Sequence, residues 1–284
     1  MSRAVSSAFH RSVDDGGQRL TRSWPALFAT GAVGGIDVGV GILGMLLVED
    51  ATGSALLGGL AFGIGFIALT LASSELFTEN FLVPIVAVTA GKARPRAVVR
   101  LWAGTAATNL AGGWVIMAVV VAALPQVRDE AVRLASHYAD LGLGWESFSA
   151  AVLGGTVITL MTWMQRGSDS EVGKLVAAVA AAFLLAAGSL FHAIVVSLLM
   201  FAGLQAGAPY GYADWLGVLA WSTLGNMVGG VGLVTMLRLV QVGRTQVEEA
   251  RRESSTDDSG PAGGPDAGPV PEPADDGRQA APVS

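Results

Sequence analysis

Two short stretches set reactive side chains inside otherwise apolar sequence. The first, Ser73-Ser-Glu-Leu-Phe-Thr-Glu-Asn80, brings carboxylates, hydroxyls and an amide together between long apolar runs. The second is centred on His192, the only one of three histidines that lies within such a run, since His10 and His137 stand among charged residues. An imidazole, with an ordinary pKa of about 6.5, exchanges protons near neutrality and both donates and accepts hydrogen bonds. An ionisable group at membrane depth is costly and is read as functional by default; a histidine satisfied by a neighbouring hydroxyl is the plainer alternative. Ser189, three residues before His192, could share a face with it as a hydrolase pair, but no oxyanion motif accompanies them, so an enzyme is not expected.

The surrounding elements decide what such groups could do. Of 284 residues, 52% are hydrophobic and 14% charged, and the mean hydropathy is +0.54. Apolar side chains on that scale exceed what one soluble core hides, which predicts an all-α membrane protein. Nucleic acid is not an expected partner; the lipid bilayer is. The formal net charge of -6 describes the tail more than the body, because seven acids lie within the last 32 residues. Without cysteine there is neither a disulfide nor a thiolate metal site, and no cofactor is expected. No cleavable leader is expected, because residues 1–23 are polar and basic and the first apolar run is long enough to span.

Runs free of Asp, Glu, Lys and Arg at 101–124, 147–165 and 215–237, with 24–48 interrupted only by Asp37, each suit one crossing of about 20 residues. Runs 51–91 and 175–213 are about twice that length and have no polar loop at their middle. If each crosses once, 15 of the 17 Lys and Arg fall on one side, and only Arg128 and Arg133 fall on the other. The positive-inside rule therefore favours six transmembrane helices, with both termini cytoplasmic, in a bacterial inner membrane.

The order of single span, overlong run and single span then repeats. Asn109-Leu-Ala-Gly112-Gly113 and Asn226-Met-Val-Gly229-Gly230 echo one another 117 residues apart. Three crossings per half force the halves into opposite orientations, an inverted 3+3 repeat with helices 2 and 5 broken. The same offset carries Glu75 onto His192, so the two breaks should face each other and line a pore, where non-helical backbone is tolerated at membrane depth. Asn109 and Asn226 either polarise the lumen or hydrogen-bond across a tight helix interface.

Glu75-Leu76-Phe77-Thr78, Ser189-Leu-Phe-His192-Ala-Ile and Gly225-Asn226-Met-Val-Gly229-Gly230 occur in the order of three signatures of the formate/nitrite transporters, and the chain resembles that family over roughly residues 20–245. The resemblance implies an aquaporin-like protomer with its own pore, a homopentamer, and transport of small monovalent anions such as formate, nitrite or hydrosulfide. It further implies that Leu76, Phe77 and Thr78 form the loop that narrows the pore, that the Thr78 hydroxyl orients a central His192, and that Phe62 and Phe66 sit where the family has apolar constrictions. Ordinary packing or lipid-facing aromatics are the alternative for that pair. A bare anion between apolar rings would lose most of its hydration, and protonation or a shared hydrogen bond from His192 would relieve that cost. A permanently cationic His192 would instead make an anion-selective channel.

Other positions depart from the formate and nitrite members. Glu79 follows the loop where a small residue is usual, and its charge would repel anions. Phe191 and Val196 stand in place of Glu and Asn, no lysine occurs between Arg133 and Lys174 where those members have one at the outer side of the fourth span, and Asp37 adds an acid to the first, whether protonated, paired or in the lumen. These point to a divergent branch. A pore for small neutral solutes, or a membrane sensor or scaffold, is the rival function; the absence of an Asn-Pro-Ala repeat argues against an ordinary water channel. Three parts are expected: an amphipathic segment at 1–23, interrupted at Gly16-Gly17; a pore domain at 24–245; and a disordered acidic tail at 246–284.

Overall fold

A computed structural model describes residues 3–258, and every regular element among them is helical. Four helices are long and apolar enough to cross a membrane: α2 (Trp24–Thr52), α5 (Pro95–Ala123), α7 (Trp145–Gly167) and the run Tyr212–Val242. Their ends follow from local chemistry. Proline opens α2 and α5, where its missing N–H would lack a partner in any case. Gly53, at φ 64°, closes α2 in the left-handed conformation that a glycine adopts at little cost. Ser54 then caps α3 (Ala55–Leu71) by accepting from the Leu57 N–H at 3.3 Å, so α2 and α3 pack as a tight hairpin.

The two overlong runs are each interrupted midway. After α3 the chain is irregular to Leu76, forms a 3-10 turn over Phe77–Phe81, and resumes as α4 (Val83–Thr89). The second run comprises α8 (Glu171–Ala187), an irregular stretch to His192, and α9 (Ala193–Ala206). Between the halves, α6 (Arg128–Asp140) lies against α9. The last long run begins as α10 (Tyr212–Met227), widens into a π-helical stretch over Val228–Thr235, and ends as α11 (Met236–Val242). α3 packs on α8, and α9 packs on α5. The two breaks and α9 sit in the main apolar core, whereas α3 and α8 each keep an exposed apolar face and α4 packs in separate clusters with α1 and α5.

The N-terminal segment differs from its sequence expectation. α1 (Arg3–Thr21) runs unbroken through Gly16-Gly17. The glycines permit contact rather than ending the helix: a Cβ at Gly16 would lie 2.6 Å from the Ala87 Cβ and against the Val83 carbonyl, so α1 crosses α4 at that point. Phe9, Val13 and Leu20 are buried in consequence. Gly16→Leu is expected to cost about 1–3 kcal/mol of docking energy through overpacking, and to speed tryptic cleavage after Arg19 and Arg22; cleavage at the wild-type rate would refute the contact.

The tail is corrected in part as well. Helix α12 (Arg244–Asp258) occupies the start of the stretch expected to be disordered. Its Ser254 hydroxyl donates to the Ala90 carbonyl at 3.0 Å, Arg251 donates to that of Thr89 at 3.1 Å, and Ala250 is buried. The composition dominated by Gly, Pro and Asp begins beyond this helix, and residues 259–284 lie outside the described residues.

Candidate functional site

The two interruptions meet. Ser73 and Ser189 hold φ of 54° and 47°, a left-handed conformation that costs a non-glycine residue about 1–2 kcal/mol. Both chain breaks therefore use the same strained turn. Beyond them, the Thr78 hydroxyl lies 2.6 Å from His192 Nε2, and both side chains are fully buried.

His192 also caps α9: its Nδ1 accepts the Val195 N–H at 3.2 Å. An accepting Nδ1 assigns the ring proton to Nε2, which then donates to the Thr78 oxygen. The Thr78 hydroxyl proton is left to point elsewhere. A doubly protonated ring would have to give up the bond from Val195. Phe62 and Phe66, ring centroids 5.4 Å apart, are fully buried in the same core as Leu76, Phe77 and Phe191, so neither faces lipid.

Each break is held by an asparagine. Asn109 Nδ2 donates to the carbonyls of Gly31 and Glu75 at 2.7 and 2.8 Å, and its Oδ1 accepts the Phe77 N–H at 2.8 Å. Asn226 Nδ2 donates to Ala151 and Phe191 at 2.7 and 2.8 Å, and its Oδ1 accepts the Ala193 N–H at 2.9 Å. Of the two readings open for these amides, the packing one fits: both donor hydrogens and one acceptor site are engaged with backbone. The reach depends on paired glycines that sequence reading missed. A Cβ on Gly34 or Gly35 would strike the Glu75 or Asn109 backbone, and one on Gly154 or Gly155 would press on Phe191 or Asn226. The available signal was a second echo, Gly34-Gly35 and Gly154-Gly155, spaced 120 residues apart. The 3-10 turn is fixed further by Trp102 donating to the Asn80 carbonyl and Thr235 to that of Phe81, each at 2.8 Å.

Beside the first break opens a polar cavity of about 480 Å³, lined by α1, the end of α3, the break itself and the α7–α8 turn. Asp37, expected as a lone acid in the first span, accepts a hydrogen bond from Ser74. Glu79 is buried but not isolated: Arg19 Nη1 lies 3.7 Å from it, 3.9 Å from Glu75 and 3.1 Å from the Asn80 oxygen. Arg22 pairs with Glu75, which also accepts from Asn80 at 2.8 Å. Burial alone would lower the Arg19 pKa, yet Asp15, Glu75 and Glu79 hold it above its ordinary value, so this cation persists across the physiological range. Sequence reading assigned Arg19 and Arg22 only to an amphipathic face, since no local pattern announces a partner some 55 residues away. His137 is exposed on α6. Among the described residues no cluster of metal-ligating side chains exists.

Comparison with known proteins agrees with this architecture. A sequence model described as formate/nitrite transporter matches residues 6–240. The chain is 26% identical over 265 residues to the inner membrane protein YfdC of Escherichia coli (strain K12), covering 89% of this chain and 83% of that one. It is 21% identical over 251 residues to the uncharacterized transporter YrhG of Bacillus subtilis (strain 168), covering 84% and 94%. Among solved structures, an FNT family ion channel superposes with a TM-score of 0.70 over 81% of this chain and 96% of that one, at 20% identity. A pentameric formate channel with formate bound gives 0.64 over 78% and 98%, also at 20% identity.

Proposed function

The chain belongs to the formate/nitrite transporter family, whose members are channels and transporters rather than enzymes, and on that premise we propose a multi-pass inner-membrane pore for small monovalent anions that cross as their weak acids. The observation that carries the reading is the 2.6 Å contact of Thr78 with His192 where two interrupted helices meet. Six crossings in an inverted 3+3 repeat, helices 2 and 5 broken, account for four long helices and two interrupted runs. Both termini then lie in the cytoplasm with the basic segments. The pore domain is 24–245, preceded by α1 and followed by the tail from 246. The fold match to a pentameric formate channel supports a homopentamer with one pore in each protomer.

The chemistry is a hydrogen-bond relay. The Val195 N–H donates to Nδ1, Nε2–H donates to Thr78, and the Thr78 hydroxyl donates to an oxygen or sulfur acceptor on the substrate. Donors fixed in place before the substrate arrives stabilise it without the reorganisation that water would need. The apolar rings Phe62, Phe66 and Phe77 and the Leu76 side chain then admit the neutral acid far more readily than a bare anion. Passage of anion and proton together makes uptake faster as external pH falls.

Proteoliposomes containing the purified protein test this with formate, nitrite, hydrosulfide, glycerol and water. Weak-acid uptake that rises about tenfold per pH unit of acidification above the substrate pKa is expected. Flux of glycerol or water alone would establish a neutral-solute pore instead, and rejection of the whole panel would leave a sensor or scaffold.

A further inference from the structure

We infer that Arg19 of α1 and Arg22, just beyond its end, are specificity-determining residues of the pore: they compensate Glu75 and Glu79 at its inner entrance and so admit anions past carboxylates that would otherwise repel them. The inference rests on the pore reading above. Glu75 and Glu79 belong to the first break and are 1% and 4% exposed. Their counter-charges come from outside the spanning segments. Arg19 approaches both, at 3.9 and 3.7 Å, and Arg22 pairs with Glu75. Other charges face this cluster: Asp15 binds Arg19 Nε at 3.2 Å, Arg166 pairs with Asp15, Glu171 and Lys174 line the same cavity, and Asp37 accepts from Ser74 of the break.

The helix is held where this compensation needs it. Arg100 of α5 donates to the carbonyls of Leu20 and Arg22 at 2.9 and 2.8 Å, which holds the end of α1 that carries Arg19 and the link that carries Arg22. Gly16 fixes the other end of the contact against α4. A purely structural role explains little of this, because a buried ion pair is a weak source of stability compared with apolar side chains of the same volume. These charges instead line the wall of a cavity large enough for several waters and a small anion.

A uncompensated unit charge about 8 Å from the path, at an effective dielectric near 20, changes local anion concentration on the order of 30-fold before salt screening reduces it. The experiment compares full-length wild type, Arg19→Gln, Glu79→Gln and the double variant in proteoliposomes, reading formate and nitrite uptake against concentration at low and high salt. Arg19→Gln is expected to raise the half-saturating concentration about fivefold, Glu79→Gln to lower it about fivefold, and the double variant to return within about twofold of wild type, with high salt narrowing all differences. Should Arg19→Gln fail to assemble, Arg19→Lys, which keeps the charge, must match wild type while Glu79→Gln still shifts. Half-saturation indifferent to the sign of the change, or a double variant worse than either single one, overturns the inference while leaving the pore intact. A wild type that moves no weak acid removes the pore reading and this inference with it.

Discussion

Asn109→Leu and Asn226→Leu are each expected to lower stability by about 2–4 kcal/mol, and the corresponding aspartates by more, with transport lost in all four. An ordinary interhelical hydrogen bond within a membrane contributes only about 0.6 kcal/mol, because the separated helices find other partners. The groups held here differ. The Phe77 and Ala193 N–H groups open the element after each break and the Glu75 and Phe191 carbonyls lie in the irregular backbone before it, so each asparagine binds one donor and one acceptor that no helical ladder satisfies. Leucine fills the volume but orphans two polar groups per site, since the third partner, the Gly31 or Ala151 carbonyl, lies within a regular helix. Aspartate is worse, since its oxygens would face two carbonyls with no hydrogen to offer. Thermal unfolding of the assembled protein in detergent, followed by tryptophan fluorescence, measures the loss. Leucine variants that melt with wild type and still transport would show that the breaks hold themselves.

The same residues explain how much of the molecule its sequence discloses. Crossing lengths, charge asymmetry and the echo of Asn109 in Asn226 led to two interrupted runs and to the pairing of the breaks, because periodicity and hydropathy are local properties. They did not disclose how the asparagines act, since an amide on a small-residue face reads equally as lumen or as interface until its three partners are seen. Gly16-Gly17 misled: in a short polar helix glycine usually signals an end, whereas here the tertiary contact with Val83 and Ala87 overrides that propensity. The Glu79 departure was legible as a charge but not as a pair, for the partner lies at the far end of another element. Phe62 and Phe66 likewise needed the packing to exclude a lipid-facing position.

His192→Leu and Thr78→Val are expected to reduce weak-acid uptake by on the order of a hundredfold, the effect of deleting one fixed donor from a water-poor site. The double variant should be little slower than either single one, because the two side chains form one relay and its loss is counted once. His192→Asn separates hydrogen bonding from titration. Its amide can still donate toward Thr78 but cannot exchange a proton near neutrality, so a relay predicts uptake within about tenfold of wild type and the same slope against pH. A ring that acted by cycling between neutral and cationic forms would instead leave an inflection in the wild-type profile that His192→Asn abolishes. The geometry favours the relay, since the bond from the Val195 N–H occupies the Nδ1 lone pair that a cationic ring would need to protonate. Uptake by His192→Leu at the wild-type rate would remove the histidine from transport and leave it as the cap of α9 alone.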